Sequence, residues 1–576
     1  TINYDSKSCN PFITTWKTNN SGSSNDDQIT IPTTGGGYNY DIYWEDITDA
    51  TKNGTLTGQS GDAAITFPAA GTYRVEISGD FPRIFFEGGG DREKILTIEQ
   101  WGDIAWTSME SAFEGAVNLI YNATDAPDLS GVTNMSRMFA SATVFNGDIG
   151  DWDVSTVTNM QSLFFNAAAF NGNIGNWDVS SVTNMADIFA FAPVFNQDIG
   201  NWDVSSVTNM PNMFLDAVAF NQDISTKTVN EGGSDEYTAW IVSSVTNMSA
   251  MFSGAAAFNG DIGNWDVSSV TNMSAMFDDA AAFNQYIGNW DVSGVTNMVN
   301  MFRSAVAFNQ DISTKISKVD GIPGYTAWDV SSVTDMAGMF SGAEIFNQDI
   351  GNWDVSSVTD MNNMFREAVA FNQDISTKFS KKGGIDEYTS WDVSSVANMR
   401  GMFIGAEAFN GDIGNWDVSS VTNMAGMFFE ATAFNRDLGN WDISSVEDMR
   451  GMLDRSGLSR ENYDNTLIGW EDGIVMDDVE LGADELTYCN GREERQALID
   501  DHNWIITGDA LAAGCTSPVA DDSRLLVANN ESYTFLPSDF GQSNNSFFVW
   551  IDSLPGGFSG ELELDGNAVS AGDKIS

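Results

Sequence analysis

Phe258–Ala282 reads F-N-G-D-I-G-N-W-D-V-S-S-V-T-N-M-S-A-M-F-D-D-A-A-A, and near copies of it return along the chain. Its Trp265 belongs to a series, Trp152, Trp177, Trp202, Trp240, Trp265, Trp290, Trp328, Trp353, Trp391, Trp416 and Trp441, with spacings of 25 or 38 residues. The three long intervals carry 13 extra residues each, at the same point of the unit. A period of this size marks stacked repeats, in which each unit buries its apolar face only against its neighbours. Function is then expected on a long repeated surface rather than in one pocket.

Inside the unit the apolar period changes. Val270, Met273, Met276, Phe277 and Ala280 fall at helical spacing, with Ser269 placed as an N-cap, which predicts a short helix. In D-I-G-N-W-D-V, Trp265 and Val267 alternate with Asn264 and Asp266, which predicts a strand with the Trp and Val inside and the Asp outside. The tryptophans therefore read as core rather than as a sugar-stacking platform. One strand and one helix per unit describe an α/β repeat solenoid, leucine-rich-repeat-like, with a parallel sheet plus short helices and flanking β-sandwich domains.

Outward from the repeats, residues 1–95 carry alternating runs such as Q-I-T-I-P (28–32), Y-N-Y-D-I-Y-W (38–44) and G-T-Y-R-V-E-I (71–77), the pattern of a small PKD- or Ig-like β-sandwich. Residues 96–127 read as an N-terminal cap, 128–453 as the repeat stack, and 454–515 as a C-terminal cap ending in the helical stretch R-E-E-R-Q-A-L-I-D-D-H-N-W. The strand-rich segment 516–576 reads as the start of a further β module, so the chain is expected to be part of a longer one.

Composition excludes whole classes of function. With 81 acidic against 25 basic residues the formal charge is −56, which argues against nucleic acid or an anionic membrane as partner. No apolar run approaches the roughly 20 residues needed to span a bilayer. The three cysteines, Cys9, Cys489 and Cys515, fit neither a zinc site nor a C-x-x-C pair; Cys489 and Cys515 flank one amphipathic stretch, where a single disulfide is expected if the protein is exported. The single histidine, His502, lies in the closing cap, and no histidine cluster or phosphate-cradling glycine loop occurs. No enzyme is expected.

The recurring string F-N-Q-D-I-G-N-W-D-V-S-S-V-T-N-M-x-x-M-F resembles the repeat of the BspA-like family of bacterial leucine-rich-repeat surface proteins, from about Asp128 to Leu453. F-I-T-T-W-K-T (12–18) with G-T-Y-R-V-E-I-S-G-D-F-P-R (71–83) is similar to the domain that often precedes these repeats, and Y-D-N-T-L-I-G-W (463–470) to their usual end. L-E-L-D-G-N-A-V-S-A-G-D-K-I resembles the start of Ig-like or cadherin-like adhesin modules. The resemblance implies an extracellular protein of the bacterial cell surface with an adhesive role, and leaves its ligand open.

Two columns of carboxylates follow from the repeat. One contains Asp266, Asp291, Asp329 and Asp354 and is broken by Ile241; the other contains Asp261 and Asp311 and is interrupted by Asn173 and Tyr286. Oxygen-rich rows suit Ca²⁺, so Asp266, Asp291, Asp329 and Asp354 are the candidate metal ligands and Ca²⁺ the only candidate cofactor. The alternatives are a solvated acidic face or Asp side chains that cap local turns. The Asn of every F-N pair is expected to form an amide ladder that satisfies backbone groups between units.

The three insertions carry the strongest functional signal. They hold Lys227 and Tyr237; Lys315, Lys318 and Tyr325; and Lys378, Lys381, Lys382 and Tyr388, in repeats otherwise nearly free of lysine. Loops with Tyr, Gly and charge on a rigid scaffold are where recognition is usually placed, so these residues are the candidate ligand-binding set. The competing reading is that Lys neutralises nearby Asp while Tyr covers core. The chain therefore reads as a secreted or cell-surface adhesin segment that binds an extracellular protein or glycan. A stalk with no ligand of its own comes second, and a polysaccharide-acting enzyme third.

Overall fold

Alternation in the first segment does produce strands. The computed structural model describes residues 10–234, 236–317, 325–382 and 386–515, together with four two-residue strands beyond them. Strands β1 (Phe12–Lys17), β3 (Asn39–Asp46), β4 (Asp49–Gln59), β6 (Thr72–Asp80), β7 (Ile95–Gln100) and β8 (Ile120–Tyr121) form one sheet in the order β4-β3-β6-β1-β7-β8. Its pairs are antiparallel except β7 with β8. A second pair, β2 (Gln28–Ile31) with β5 (Ala63–Thr66), is antiparallel. Tyr73, Val75 and Ile77 are buried, as their alternation with Arg74 and Glu76 requires.

One buried ion pair sits in this domain and is fully satisfied. The Lys94 ammonium donates to the carbonyls of Ser24, Asn25 and Gln28 at 2.9 to 3.0 Å, with the Asp91 carboxylate 3.7 Å away. Asp91 in turn accepts from the Ser24 and Thr30 N–H groups and the Ser24 hydroxyl. Burial of such a pair is tolerable only because every polar atom finds a partner. Residues after β7 dock on the first coil, where the N–H groups of Met109, Ser111 and Phe113 donate to the carbonyls of Asn134, Ser136 and Met138.

The repeats are built from turns, and this corrects the expected α/β solenoid. No helix and no continuous parallel sheet occurs in the described repeats; the fold is β-rich, its sheets are mostly small and antiparallel, and both described helices follow the repeats. The reason lies in the backbone of the M-x-x-M-F segment. Ala275 and Asp279 take left-handed φ of 54° and 56°, and equivalent residues do so in coil after coil. A right-handed helix cannot pass through such a residue. Instead the N–H groups of Met276, Asp278 and Ala280 close turns on the carbonyls three residues back, while those of Met273, Ala275, Phe277 and Asp279 donate to Asn297, Val299, Met301 and Arg303 in the next coil.

Consecutive tight turns return a residue to the core every three or four positions, the same spacing a helix gives. That is why the apolar pattern misleads, and why Ser269 caps no helix. The W-D-V segment likewise makes no strand ladder, because the N–H groups of Trp265 and Val270 close turns on Ile262 and Val267. Coil meets coil through single-residue parallel bridges, from Asn134 with Asn159 to Asn423 with Asp448.

Columns of buried side chains fill the interior. Phe277 and Phe283 stack face to face at 3.9 Å within a coil, and their equivalents stack on them at 5.6 and 6.0 Å in the next. Trp265 and Val267 are buried while Asp266 is exposed, as the alternation indicates. From Trp177 to Trp441 each indole N–H of the series finds a carbonyl in the preceding coil; Trp290 Nε1 donates to the Ile262 carbonyl at 3.1 Å. The Asn of F-N forms a ladder, in which Asn284 Oδ1 accepts from the Asn309 N–H and Asn309 Oδ1 from the Asn347 N–H, each at 3.0 Å.

The insertions form antiparallel hairpins: β9 (Lys227–Val229) with β10 (Tyr237–Ala239), β11 (Lys315–Ser317) with β12 (Tyr325–Ala327), and β13 (Lys378–Lys382) with β14 (Asp386–Ser390). The stack is closed by helix α1 (Arg460–Glu471), whose N-cap Ser459 gives its N–H to Asn435 Oδ1 and so ends the ladder. Trp470 on α1 donates to the Leu438 carbonyl, taking the place of the next tryptophan. Parallel pairs of β15 (Glu480–Gly482) with β17 (Ile505–Thr507) and β16 (Thr487–Tyr488) with β18 (Ala510–Leu511) follow, around helix α2 (Arg492–His502), which matches the helical stretch expected there. His502 Nδ1 lies 3.0 Å from Asp477 Oδ1 in this cap.

The chain divides into Thr1–Leu511 and Ala512–Ser576. Within the latter, β19 (Val549–Trp550) pairs with β22 (Lys574–Ile575) and β20 (Glu563–Leu564) with β21 (Asn567–Ala568). The rest of the expected β module, and Cys9, lie outside the described residues.

Candidate binding groove between the insertion hairpins

Each hairpin is fixed by the same set of bonds. The hydroxyls of Thr226, Thr314 and Thr377 donate to the carbonyls of Trp240, Trp328 and Trp391, pinching the base at 2.7 to 2.9 Å. Asn264, Asn352 and Asn415 of the following coil then clamp the backbone of those threonines, each through its side-chain amide N–H to the carbonyl and its oxygen to the N–H. The chain must turn sharply to rejoin the coil, and Trp240, Trp328 and Trp391 do so at left-handed φ of 52°, 50° and 49°. The other tryptophans of the series do not take that conformation. For a bulky aromatic it is strained by roughly 1–3 kcal/mol.

The candidate ligand-binding residues are largely engaged by the scaffold. Tyr237 donates to the Asn201 carbonyl at 2.5 Å, and Tyr325 and Tyr388 donate to the carbonyls of Asn289 and Asn352. Burial raises the Tyr388 phenol to about 12. Lys227, Lys315 and Lys378 pair with Asp223, Asp311 and Asp374 four residues back, at 3.3, 2.8 and 3.0 Å. The Ser376 hydroxyl, opposed by partial burial and aided by Lys378, lowers the Asp374 carboxyl to about 2. Lys381 lies exposed on β13; Lys318 and the side chain of Lys382 are outside the described residues.

The candidate metal ligands also have local roles. Oδ1 of Asp266, Asp291, Asp329 and Asp354 accepts both the N–H and the hydroxyl of the serine two residues on. Such turns account for an Asp at this point of the unit without an ion. Among the described residues no group of three or more His, Cys, Asp or Glu is placed to hold a metal. Cys489 and Cys515 are both disulfide-bonded.

What the structure adds is a groove. Two short coils separate the first hairpin from the second, and they leave an open cavity of ≈ 760 Å³ that runs from Asn264, the clamp of the first hairpin, to Tyr325 of the second. Asp261, Asp266 and Asp291 line it, together with Gln285 and Tyr286. Tyr286 is 42 % exposed and stands where neighbouring coils carry Asp. Lys315 lies 5.2 Å from its ring centroid. In the sequence Tyr286 interrupts the Asp column, and being its single aromatic is the available signal. No helix among the described residues is long and apolar enough to cross a membrane.

No curated protein and no solved structure matches the chain. One family model does, four times in succession, over 107–227, 226–324, 314–382 and 376–472, so its matches run from the N-terminal cap into α1 and cover more than half of the 576 residues. The chain therefore belongs to the repeat family described as Mycoplasma protein of unknown function, DUF285.

Proposed function

We propose that this chain is a secreted or cell-surface adhesin segment that binds a macromolecular ligand, protein or glycan, along the hairpin-bearing edge of its stacked coils. The observation that carries the reading is the repeated, strained attachment of the hairpins. Three hairpins enter at one point of the unit, are clamped alike, and leave Trp240, Trp328 and Trp391 left-handed, while short coils close without them. Strain retained at equivalent places is expected where a projecting element is used. The disulfide-bonded Cys489 and Cys515 fit an oxidising, extracellular setting.

The test replaces residues 225–239, 313–327 and 376–390 each by Gly-Asn, the sequence that joins Ile to Trp in short coils. The intact chain and this trimmed chain are screened on arrays of immobilised proteins and glycans. Binding by the intact chain alone supports the proposal. Equal binding by both moves the ligand off the hairpins. The second reading, a stalk with no ligand, is favoured by the engagement of the three tyrosines and of Lys227, Lys315 and Lys378 within the scaffold, and predicts no specific binding by either chain.

A further inference from the structure

Resting on that reading, we infer that the groove between the first two hairpins takes the basic side chains of an extended polypeptide. Its lining still has acceptor oxygens to offer. Asp261, Asp266 and Asp291 each use Oδ1 in a local turn, to Gly263, Ser268 and Ser293, and their second oxygens accept no hydrogen bond among the described residues. The donors beside them are engaged: Asn264 Nδ2 bonds the Thr226 carbonyl, Gln285 Nε2 the Asn259 carbonyl and the Tyr325 hydroxyl the Asn289 carbonyl. Apart from the Lys315 ammonium, which is paired with Asp311 and lies 5.2 Å from the Tyr286 ring centroid, what faces an incoming group is acceptor oxygen and aromatic surface.

A carboxylate accepts only, so this lining suits a donor-rich cation and repels an anion. The Tyr286 ring adds a face that attracts ammonium or guanidinium. The chain already shows the pairing, since the Lys315 ammonium lies over that ring while bonded to Asp311. A net charge of −56 extends the same preference beyond the groove and would speed the approach of a basic partner. The groove's ≈ 760 Å³ has room for several side chains, and its lining includes Asn264, which clamps the first hairpin, and Tyr325 of the second.

Charge alone would attract any cation, so the decisive variant is Tyr286→Asp. It removes the ring and restores the residue that neighbouring coils carry, so the fold is kept while one more negative charge is added. The probe is a fluorescent ten-residue peptide of alternating lysine and glycine, titrated into the full 576-residue chain by anisotropy at about 0.15 M ionic strength. The same peptide with acetylated lysines and a neutral oligosaccharide set serve as competitors. The expected result is roughly tenfold weaker binding by Tyr286→Asp, from the lost cation–ring attraction, with no competition from the acetylated peptide. Equal or tighter binding by the variant would overturn the assignment, because bulk charge would then explain everything. So would absence of peptide binding by the unmodified chain, or competition by the oligosaccharides, which would give the groove to a glycan. In these cases the hairpin-trimming result still decides whether the edge binds at all.

Discussion

Short and long coils of this chain share one interior and differ at one joint. In a short coil Ile262, Gly263 and Asn264 lead straight into Trp265, whose N–H closes a turn on Ile262. In a long coil a hairpin intervenes, and the Trp328 N–H reaches instead to the Trp290 carbonyl of the coil before. The indole keeps its place in both cases, because Trp328 Nε1 still finds the Ile287 carbonyl at 2.9 Å. The core column is thus kept at the expense of a left-handed backbone. Packing of a buried indole, worth several kcal/mol, outweighs local strain of roughly 1–3 kcal/mol.

The comparison can be broken most severely at that column. Trp290→Gly, in a short coil, is expected to destabilise the stack by about 4–5 kcal/mol in urea unfolding, from the cavity and the added backbone freedom. Trp328→Gly should cost about 1 kcal/mol less, because glycine relieves the left-handed strain there. Equal losses would mean that the hairpin joint stores no strain. The Asn ladder comes next: Asn309→Ala removes the acceptor of the Asn347 N–H and of Gln348 Nε2, and should cost about 1–2 kcal/mol. Tyr325→Phe removes one bond to the Asn289 carbonyl; roughly 1 kcal/mol is expected, with faster amide exchange confined to the second hairpin. Global rather than local exchange would show that the hairpin is part of the core.

Acid sharpens the same contrast with a smaller effect. Asp374 at the foot of the third hairpin is held down to about 2, first by the Ser376 hydroxyl. Asp153 and Asp442, in coils without hairpins, are lowered by Ser155 and Ser444. A carboxylate lowered in the fold adds stability above its unfolded value, about 3.9, and loses it as pH falls through the folded value. Stability should therefore fall between about pH 4 and 2, and Ser376→Ala should lower the neutral-pH stability of the third hairpin and shrink that fall, because the folded value rises toward an unchanged unfolded one. Thermal unfolding with a fluorophore on that hairpin, at about pH 7 and about pH 2, reads this; an unchanged difference between the two would remove the Ser376 bond from the account.

The sequence made the repeat, its length and its inward-facing residues legible, because burial imposes period and the period is visible. Trp265, Val267, Met273 and Phe277 are all buried where alternation and spacing put them. The backbone that achieves this was not legible. A helix and a succession of tight turns both bring every third or fourth residue inward, and only φ distinguishes them; Ala275 and Asp279 carry no signature of a left-handed conformation. At the candidate site the insertions were evident from length, while the employment of their Tyr and Lys within the scaffold depends on carbonyls 36 residues and carboxylates four residues away. Tyr286 gained meaning only once two short coils were seen to leave a gap between hairpins.

Recognition along the hairpin-bearing edge, with the coil interior as scaffold, is the proposal to test. It is tested most directly by measuring the melting temperature and the array binding of the chain with all three hairpins replaced by Gly-Asn, beside the intact chain. The account predicts an equal or higher melting temperature, since the joints at Trp240, Trp328 and Trp391 relax to the short-coil form, together with loss of binding. A trimmed chain that melts earlier yet binds as before would contradict it.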